Sequence, residues 1–245
     1  MRQYLSIILL LLFSCQNVQE KASSPRPKPA IQPILKVASK PVKKEAVKLL
    51  EYFVDTLNVG KPTRNKIELS NFGNSDSSYV VIQFYTKSKG NHWFLKQKFN
   101  FSNDGVSSCF TALSDFNNDG FKDITYKSRL AARGANDVRK LFIYDSDNDR
   151  LIYMKNSEDY PNMLYNKKLD CIDAFLVHGG STTVFLKIER DSLKEFASVN
   201  LDDKINIRTV DKSGNRKYLV KDRKNNFDVY TRFENFSPLE AHTTL

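Results

Sequence analysis

Residues 79–95 read YVVIQFYTKSKGNHWFL, and this stretch predicts a β-hairpin more directly than any other part of the chain. Both ends of the stretch are rich in β-branched and aromatic residues, which favour extended strands. Between them, Lys89, Gly90 and Asn91 form a short polar segment that can reverse the chain, because glycine and asparagine tolerate positive φ. We therefore expect two antiparallel strands joined by a tight turn.

The same pattern recurs from residue 51 to residue 245. Short apolar runs alternate with segments rich in Gly, Asn, Asp and Ser, and no stretch keeps a helical period over three turns. Further strands are predicted at residues 141–144, 151–153, 172–177, 183–188, 196–199, 205–210 and 218–220. A segment of this length lies within the usual range for one domain, so residues 51–245 are predicted to form a single all-β domain.

Residues 115–123 read DFNNDGFKD, and their spacing predicts a calcium loop. Carboxylate or amide oxygens occupy its first, third, fifth and ninth places, at Asp115, Asn117, Asp119 and Asp123. Gly120 occupies the sixth place, where such loops turn sharply and favour a residue without Cβ. The carbonyl oxygen of Phe121 is a further candidate ligand. We therefore predict Ca²⁺ as a bound cofactor.

An ordinary turn is the alternative for this segment, because Asp, Asn and Gly are also common in turns. The twelfth place, which holds a bidentate Glu in helix-flanked calcium loops, is Tyr126. The flanking residues favour strands, so we expect a strand–loop–strand unit, with water or a neighbouring loop supplying the remaining ligands. Residues 145–149, DSDND, also alternate oxygen-bearing side chains but lack the central glycine, and there we predict a hairpin turn.

The amino terminus has the features of a bacterial lipoprotein signal. Arg2 precedes an apolar run over residues 5–13, which is shorter than the roughly 20 residues that a membrane-spanning helix needs. The run ends in Leu12-Phe13-Ser14-Cys15, which resembles a lipobox. That resemblance implies that residues 1–14 are removed and that Cys15 carries a lipid anchoring the protein to a membrane. The alternative is an ordinary cleaved signal that happens to contain a cysteine.

Residues 15–50 are predicted to comprise the lipidated cysteine and a disordered tether. Five of the chain's eight prolines lie there, and the segment buries too little apolar surface to offset the entropy of ordering. It also holds eight basic residues against two acidic ones, so most of the net charge of +10 belongs to the tether. The basic composition therefore gives no support to nucleic-acid binding, which requires Lys and Arg on one folded face.

Two further cysteines, Cys109 and Cys171, remain in the β domain. In an oxidising compartment an even pair is a candidate disulfide, which would stabilise the domain by about 4 kcal/mol through the long loop it closes. Both cysteines also lie within apolar, strand-like runs. The alternative is therefore two separate buried thiols that pack as small apolar side chains.

The motif Asp-x-Asn-x-Asp-Gly-x-x-Asp between strands resembles the calcium signature of FG-GAP and VCBS-type β-propeller repeats. More specifically, residues 107–200 are similar to a family of bacterial half-propeller lipoproteins. The resemblance rests on the calcium motif followed in order by the loop AARGAN at 131–136, strands at 141–145 and 170–177, and His178-Gly179-Gly180. It implies antiparallel sheets in a partial β-propeller-like arrangement. With one clear calcium loop, a complete seven-bladed propeller is not expected.

Members of that family include calcium-binding periplasmic proteins that inhibit lysozyme-like peptidoglycan hydrolases. The resemblance thus implies a lipid-anchored, non-enzymatic binding protein of the cell envelope, on the periplasmic face of the outer membrane or at the cell surface. The predicted partner-binding surface is the loop 128–140 with Arg129, Arg133 and Arg139, and His178 is a further candidate. An arginine in such a loop can pair with the two catalytic carboxylates of a glycosidase. The alternative is a mobile connection with solvated arginines.

Two other functions remain open at this stage. A carbohydrate-active hydrolase or lyase could use Asp170, Asp173 and His178, although a regular strand puts Asp173 on the face opposite His178. The sequence His178-Gly179-Gly180-Ser181 could begin the oxyanion loop of an esterase. The chain, however, lacks the Gly-x-Ser-x-Gly elbow that an esterase requires. The third possibility is a passive structural or adhesion protein in which calcium only stabilises the fold.

Overall fold

The computed structural model describes residues 45–75, 77–103 and 108–237, which form fourteen β-strands in three antiparallel sheets. The N-terminal sheet comprises β1 (Lys48–Asp55), β2 (Asn65–Gly73), β3 (Ser78–Lys87) and β4 (Trp93–Asn103). The central sheet comprises β5 (Ala112–Ser114), β6 (Asp123–Ala131), β7 (Asn136–Asp145) and β8 (Arg150–Tyr153). The C-terminal sheet comprises β9 (Leu164–Asn166), β10 (Cys171–Val177), β11 (Ser181–Glu189), β12 (Ser192–Leu201), β13 (Lys204–Val210) and β14 (Arg216–Lys224).

The prediction of an all-β antiparallel fold is confirmed. Within the described residues, the helical elements are two single 3₁₀ turns, Ala132–Gly134 and Ser157–Asp159. Residues 79–95 lie in the β3–β4 hairpin, with Asn91 at φ 60° in the connecting turn. Residues 146–149 form the turn between β7 and β8, as the absence of a central glycine indicated.

Each strand pairs with its neighbour in sequence, so the three sheets are simple meanders. β2 shows the local reason, because its buried and half-buried residues alternate strictly over nine positions. That period of two is the period of side-chain direction in a strand, and it commits one face of the sheet to the core. The sheets remain open, and none of the three closes into a barrel.

The central sheet packs against both of the other sheets. One core joins Ile67, Leu69 and Ile82 of the N-terminal sheet to Phe142 and Tyr144 of the central sheet. A second core joins the central sheet to the C-terminal sheet, and its members include Leu141, Ile143, Ile172, Ala174, Val184 and Leu186. The successive face-to-face packing of three sheets agrees with the predicted partial β-propeller-like arrangement.

The far face of the C-terminal sheet is covered by the chain that follows β14. Phe233 is buried there, and Phe227 and Phe236 pack beside it against a third core that includes Phe185 and Val199. No described segment covers the far face of the N-terminal sheet in a comparable way. The stack of sheets therefore has one covered end and one open end.

The folded region begins earlier than predicted, because β1 starts at Lys48 and includes three residues assigned to the tether. The apolar and β-branched residues of β1 pair with β2 from Lys48 onward, which extends the sheet past the predicted boundary at residue 51. The predicted signal peptide, Cys15 and most of the tether fall within residues 1–44, outside the described residues. Over the described ranges, no helix is long and apolar enough to cross a membrane.

The candidate disulfide between Cys109 and Cys171 is not formed in the structure. Both thiols are free and buried, Cys109 in the core shared by the N-terminal and central sheets, and Cys171 in the core beneath the C-terminal segment. Each behaves as a small apolar side chain, which was the alternative interpretation. Burial raises the pKa of Cys109 to about 12 and that of Cys171 to about 11, so neither thiol is reactive near neutral pH.

The thiol state gives a first test. Alkylation without reductant should modify Cys109 and Cys171 only after the protein is unfolded in guanidinium, because both are buried and protonated when it is folded. Peptide mass spectrometry measures the alkylation of Cys109 and Cys171 individually and distinguishes both from Cys15. Recovery of one cross-linked peptide containing both cysteines would contradict the structure.

Candidate calcium loop and hairpin surface

The segment 115–123 connects β5 to β6, so the predicted strand–loop–strand arrangement is present. Asp115 accepts backbone N–H bonds from Asp119 at 3.2 Å and from Gly120 at 2.9 Å. Asp119 in turn accepts the N–H of Phe121 at 2.9 Å and the side-chain amide of Asn117 at 2.9 Å. These bonds draw the oxygen-bearing side chains toward the loop's own backbone.

Gly120 has φ 87°, in the left-handed region that favours glycine, as its place in the motif predicted. The preceding Asn118 has φ 59°, a conformation that asparagine tolerates better than most residues. Lys122 forms a backbone bridge with Val59, and Gly60 donates its N–H to the carbonyl of Lys122 at 3.1 Å. The loop is therefore attached to the connection between β1 and β2.

Asp123 is the buried member of the motif and joins the loop to the central sheet. Its two carboxylate oxygens accept the N–H groups of Phe116 at 2.7 Å and Tyr144 at 2.8 Å. The pKa of Asp123 is raised to about 7, chiefly by burial and also by the nearby charges of Asp119 and Asp115, against the lowering effect of the two N–H donors. The loop thus concentrates negative charge beside a fully buried carboxyl group.

The donor chemistry of the loop fits a hard cation such as calcium, which prefers carboxylate, amide and carbonyl oxygens. None of Asp115, Asp119 and Asp123 forms an ion pair with a basic side chain of the described residues. Each carboxylate oxygen of Asp123 accepts one N–H and keeps a second lone pair. The geometry is nevertheless not that of a preformed cage, since the described residues contain no group of three or more His, Cys, Asp or Glu side chains close enough to hold a metal.

Calcium should therefore order the ligands around itself and stabilise the fold. At free calcium of about 100 times the dissociation constant, linkage predicts about 2.7 kcal/mol of added stability, measured as a rise in melting temperature. Asp119→Ala should abolish that rise because it removes a central ligand. Asp147→Ala, in the exposed turn between β7 and β8, is the matched control and should respond like the wild type. If the wild type melts at the same temperature with and without calcium, the motif is an ordinary turn and not a calcium site.

A separate test addresses Asp123 in calcium-free protein. Asp123→Ala should lower the free energy of unfolding by about 3 kcal/mol, because two buried N–H groups lose their acceptor at about 1–3 kcal/mol each. Urea unfolding measures the change, and Asp147→Ala should stay within about 0.5 kcal/mol of the wild type. A loss of similar size in both variants would show that Asp123 does not join the loop to the sheet.

The predicted partner-binding loop is the end of the β6–β7 hairpin. Ala132 has φ 48°, Arg133 has φ 55° and Gly134 has φ 94°, so three successive residues are left-handed. For the two residues with a Cβ this conformation costs on the order of 1 kcal/mol each. All three residues are exposed, and a Cβ added at Gly134 would have no neighbouring atom within 4 Å. Strain of this kind is enriched at functional sites, although exposed turns elsewhere in the chain, such as Arg190 with φ 58°, share it.

Two asparagines hold this tip against β10. Asn136 donates its side-chain amide to the carbonyl of Val177 at 3.0 Å and accepts the N–H of the same residue at 2.8 Å. Asn162 donates to the carbonyls of Ala135 at 3.0 Å and Phe175 at 2.8 Å. The base of the tip is therefore braced on the C-terminal sheet through Ala135 and Asn136.

The same contacts bring the turn of His178 next to the tip. His178 follows β10 directly and caps its own turn, since the N–H of Gly180 donates to its Nδ1 at 3.1 Å. Its Nε2 lies 3.0 Å from Oγ1 of Thr182, so the ring is held by both nitrogens. Gly180 has no room for a side chain, because a Cβ would lie 2.0 Å from the carbonyl oxygen of Leu201. His178 and the 131–135 tip thus share one edge of the molecule.

The three predicted arginines have different roles. Arg129 and Arg133 are exposed, and Arg133 forms no hydrogen bond or ion pair with any described residue. Arg139 is instead part of the structure, where its guanidinium donates to the side chains of Thr125 at 3.1 Å and Asp137 at 3.1 Å. It also donates to the carbonyl of Phe110. Because the guanidinium N–H groups of Arg139 form hydrogen bonds within the fold, Arg139 is not part of the candidate partner surface.

The alternative catalytic group is not assembled. β10 places Asp170 and His178 at its two ends, and even Asp173 is roughly 16 Å from His178 at about 3.3 Å per residue. Asp173 is buried and paired with Arg232, whose Nε donates to it at 2.7 Å. Ser181 is buried and donates its hydroxyl to the carbonyl of Val229 at 2.6 Å. Asp173 and Ser181 therefore form hydrogen bonds within the fold, and the candidate catalytic side chains do not converge on one point.

Sequence reasoning missed the residues that fix the geometry of this surface. Asn136 falls within the small-residue loop 131–136, and no local pattern marks Asn162 or connects Arg232 to Asp173. Their partners lie 41, 27 and 59 positions away in the chain, which no local pattern reveals. A positive φ at Asn162, 55°, is the one local sign of its role, and it is visible only in the structure.

Comparison with known proteins adds little to these observations. No protein-family model and no curated protein matches the chain. One solved chain, described as "Structure of a Xanthomonas Type IV Secretion System related protein", aligns with 72% of this chain and 100% of its own length. The TM-score is 0.45 and the identity 11%, and a likeness of that size carries no argument about fold or function.

Proposed function

We propose that the protein is a non-enzymatic binding module of the cell envelope that captures another macromolecule through the β6–β7 tip and the adjoining His178 turn. The observation that carries this proposal is the presentation of Arg133, which is exposed, left-handed and without an internal partner on a braced loop. A loop backbone that is already held in one conformation loses less entropy on binding than a flexible one, so a braced tip favours affinity.

The partner class that best suits this tip is a lysozyme-like peptidoglycan hydrolase. Retaining glycosidases hold two carboxyl groups about 5 Å apart, and inverting ones hold them farther apart. The planar guanidinium of an arginine can donate two parallel hydrogen bonds to a carboxylate, which a lysine cannot do. Arg133 at the end of a narrow hairpin would enter such a cleft and block it.

Calcium has an indirect role in this proposal. The candidate loop precedes β6, whereas the tip follows it, so the two lie at opposite ends of one nine-residue strand. At about 3.3 Å per residue this separation is roughly 27 Å, too far for the ion to contact a partner held at the tip. Calcium would act by stabilising the start of β6, and thereby the strand that supports the tip.

A lipid on Cys15 and an extended tether would keep the module near the membrane and within reach of peptidoglycan. If it is extended at about 3.1 Å per residue, a tether of this composition would allow a reach on the order of 100 Å. This arrangement suits an inhibitor that protects the cell wall from hydrolases, and the localisation proposed is the periplasmic face of the outer membrane or the cell surface.

The test measures inhibition of c-type, g-type and phage-type lysozymes on a peptidoglycan suspension by the purified protein with calcium. Arg133→Ala should weaken inhibition of the susceptible class by roughly thirtyfold, the effect of losing an interface hot spot of about 2 kcal/mol. Arg133→Lys should recover only part of it, since the forked donors are missing.

Arg190→Ala is the matched control, because Arg190 is also exposed and left-handed, with φ 58°, at the turn between β11 and β12. It should inhibit like the wild type. Equal inhibition by Arg133→Ala and wild type would exclude the tip as the binding surface. Absence of inhibition and of binding for every lysozyme class would exclude the partner, and sugar release by the protein alone would exclude a non-enzymatic module.

A further inference from the structure

The open end of the sheet stack carries an unusual set of side chains. The outward-facing positions of β1 to β4 include aromatic and apolar residues where an exposed antiparallel face is ordinarily polar. These residues are Tyr52, Val54, Phe72, Tyr79, Val81, Tyr85 and Trp93. Tyr52 is 52% exposed and Tyr79 is 40% exposed, whereas Phe72, Val81, Tyr85 and Trp93 are partly exposed.

Three of these strands, β2, β3 and β4, contribute to one connected group on this face. Lys66 lies 2.7 Å from Glu68 and places its ammonium 3.9 Å from the ring centre of Tyr85. Tyr85 donates its hydroxyl to Glu68 at 3.0 Å. The ammonium group of Lys66 lies 5.5 Å from the ring centre of Trp93, and the ammonium group of Lys87 lies 4.9 Å from it. Aromatic rings and hydrogen-bonding groups are therefore interleaved.

The charges of this face are mainly positive. Lys66, Lys87 and Lys98 point outward, and the one acidic residue among the outward positions of β2 to β4 is Glu68. Glu68 is paired with Lys66, and hydrogen bonds from Lys66 and Tyr85 outweigh its burial and hold its pKa below the usual range. Lys87 and Lys98 form no ion pair with any described carboxylate, so two positive charges are available to a ligand.

We propose that this outer face of the N-terminal sheet binds an acidic polysaccharide. A sugar ring has an apolar C–H face that stacks on an aromatic ring and a rim of hydroxyls that bond to groups such as Glu68, Gln83 and Lys66. The carboxylates of the glycan pair with Lys87 and Lys98. Tyr79 and Tyr85 are about 20 Å apart along β3, which accommodates several sugar rings in series.

An apolar protein partner suits this face less well. Ser70, Gln83 and the Lys66–Glu68 pair interrupt the apolar residues, so burying the face against a hydrophobic surface would leave polar groups without partners. A single-stranded nucleic acid also combines stacking with negative charge. It differs in placing its charge on phosphates rather than on the rings themselves, and it is the competing outcome in the test.

The chain's single tryptophan provides a direct reporter, since Trp93 is part of the proposed site. Titration of the purified protein with polygalacturonate should change the tryptophan emission, and the apparent affinity should fall as salt is raised. In gels cast with polygalacturonate the protein should be retarded. Dextran, which is neutral, should bind at least tenfold more weakly.

Trp93→Ala and the double variant Lys87→Ala/Lys98→Ala should each weaken retardation by at least tenfold. Tyr218→Ala, which removes an aromatic ring that is 49% exposed on β14, is the matched control and should behave as the wild type. The lysine variant keeps the fluorescence reporter and lies at solvent-exposed or half-exposed positions, so it tests the site even if Trp93→Ala does not fold.

Equal binding of dextran and polygalacturonate, tighter binding of an oligothymidylate, or unchanged retardation of the lysine variant would each overturn the proposal. The inference does not rest on capture of a hydrolase. Arg133→Ala should bind polygalacturonate normally, and Lys87→Ala/Lys98→Ala should inhibit lysozyme normally, so failure of either proposal can be recognised separately.

Discussion

The fold depends on burial of the central sheet on both of its faces. In β7, Leu141 and Ile143 point into the core shared with the C-terminal sheet, whereas Phe142 and Tyr144 point into the core shared with the N-terminal sheet. A slip of one residue in the pairing of β7 would exchange these two sets. The aromatic residues would then meet a core that is mainly aliphatic, with Ala174, Val184 and Leu186 among its members. Register, sheet order and core composition are therefore fixed together.

Asp123 connects this packing to the loop chemistry. Its carboxylate is fully buried, and it accepts the backbone N–H of Tyr144, whose ring belongs to the core beneath the N-terminal sheet. Phe121, two positions earlier, packs edge-on against the same ring at 5.6 Å between centres. A change in the charge or ligation of the loop therefore reaches the central sheet through residues that contact each other directly. This coupling makes fold stability the natural readout of the loop.

The sequence was informative where structure is local and uninformative where it depends on distant partners. Alternation of apolar residues identified the hairpins, and the place of Gly120 in its motif anticipated a left-handed turn. The tether boundary was misplaced because β1 is stabilised by its pairing with β2, not by its own composition. The same limitation applies to Arg139, whose exposed-loop context suggested a free guanidinium while Thr125 and Phe110, far away in sequence, accept its hydrogen bonds.

The distribution of exposed charge distinguishes the two surfaces proposed to bind a partner from a third whose charge needs no ligand to explain it. β14 is an edge strand with basic residues along most of its length, and such charge protects an unpaired edge from associating with other strands. That function accounts for it without a ligand. Edge protection does not explain Trp93 and Tyr85, which lie on a sheet face, nor the left-handed Arg133 at a braced tip. These features cost solvation or backbone energy in the free protein, and binding is the process that would offset those costs.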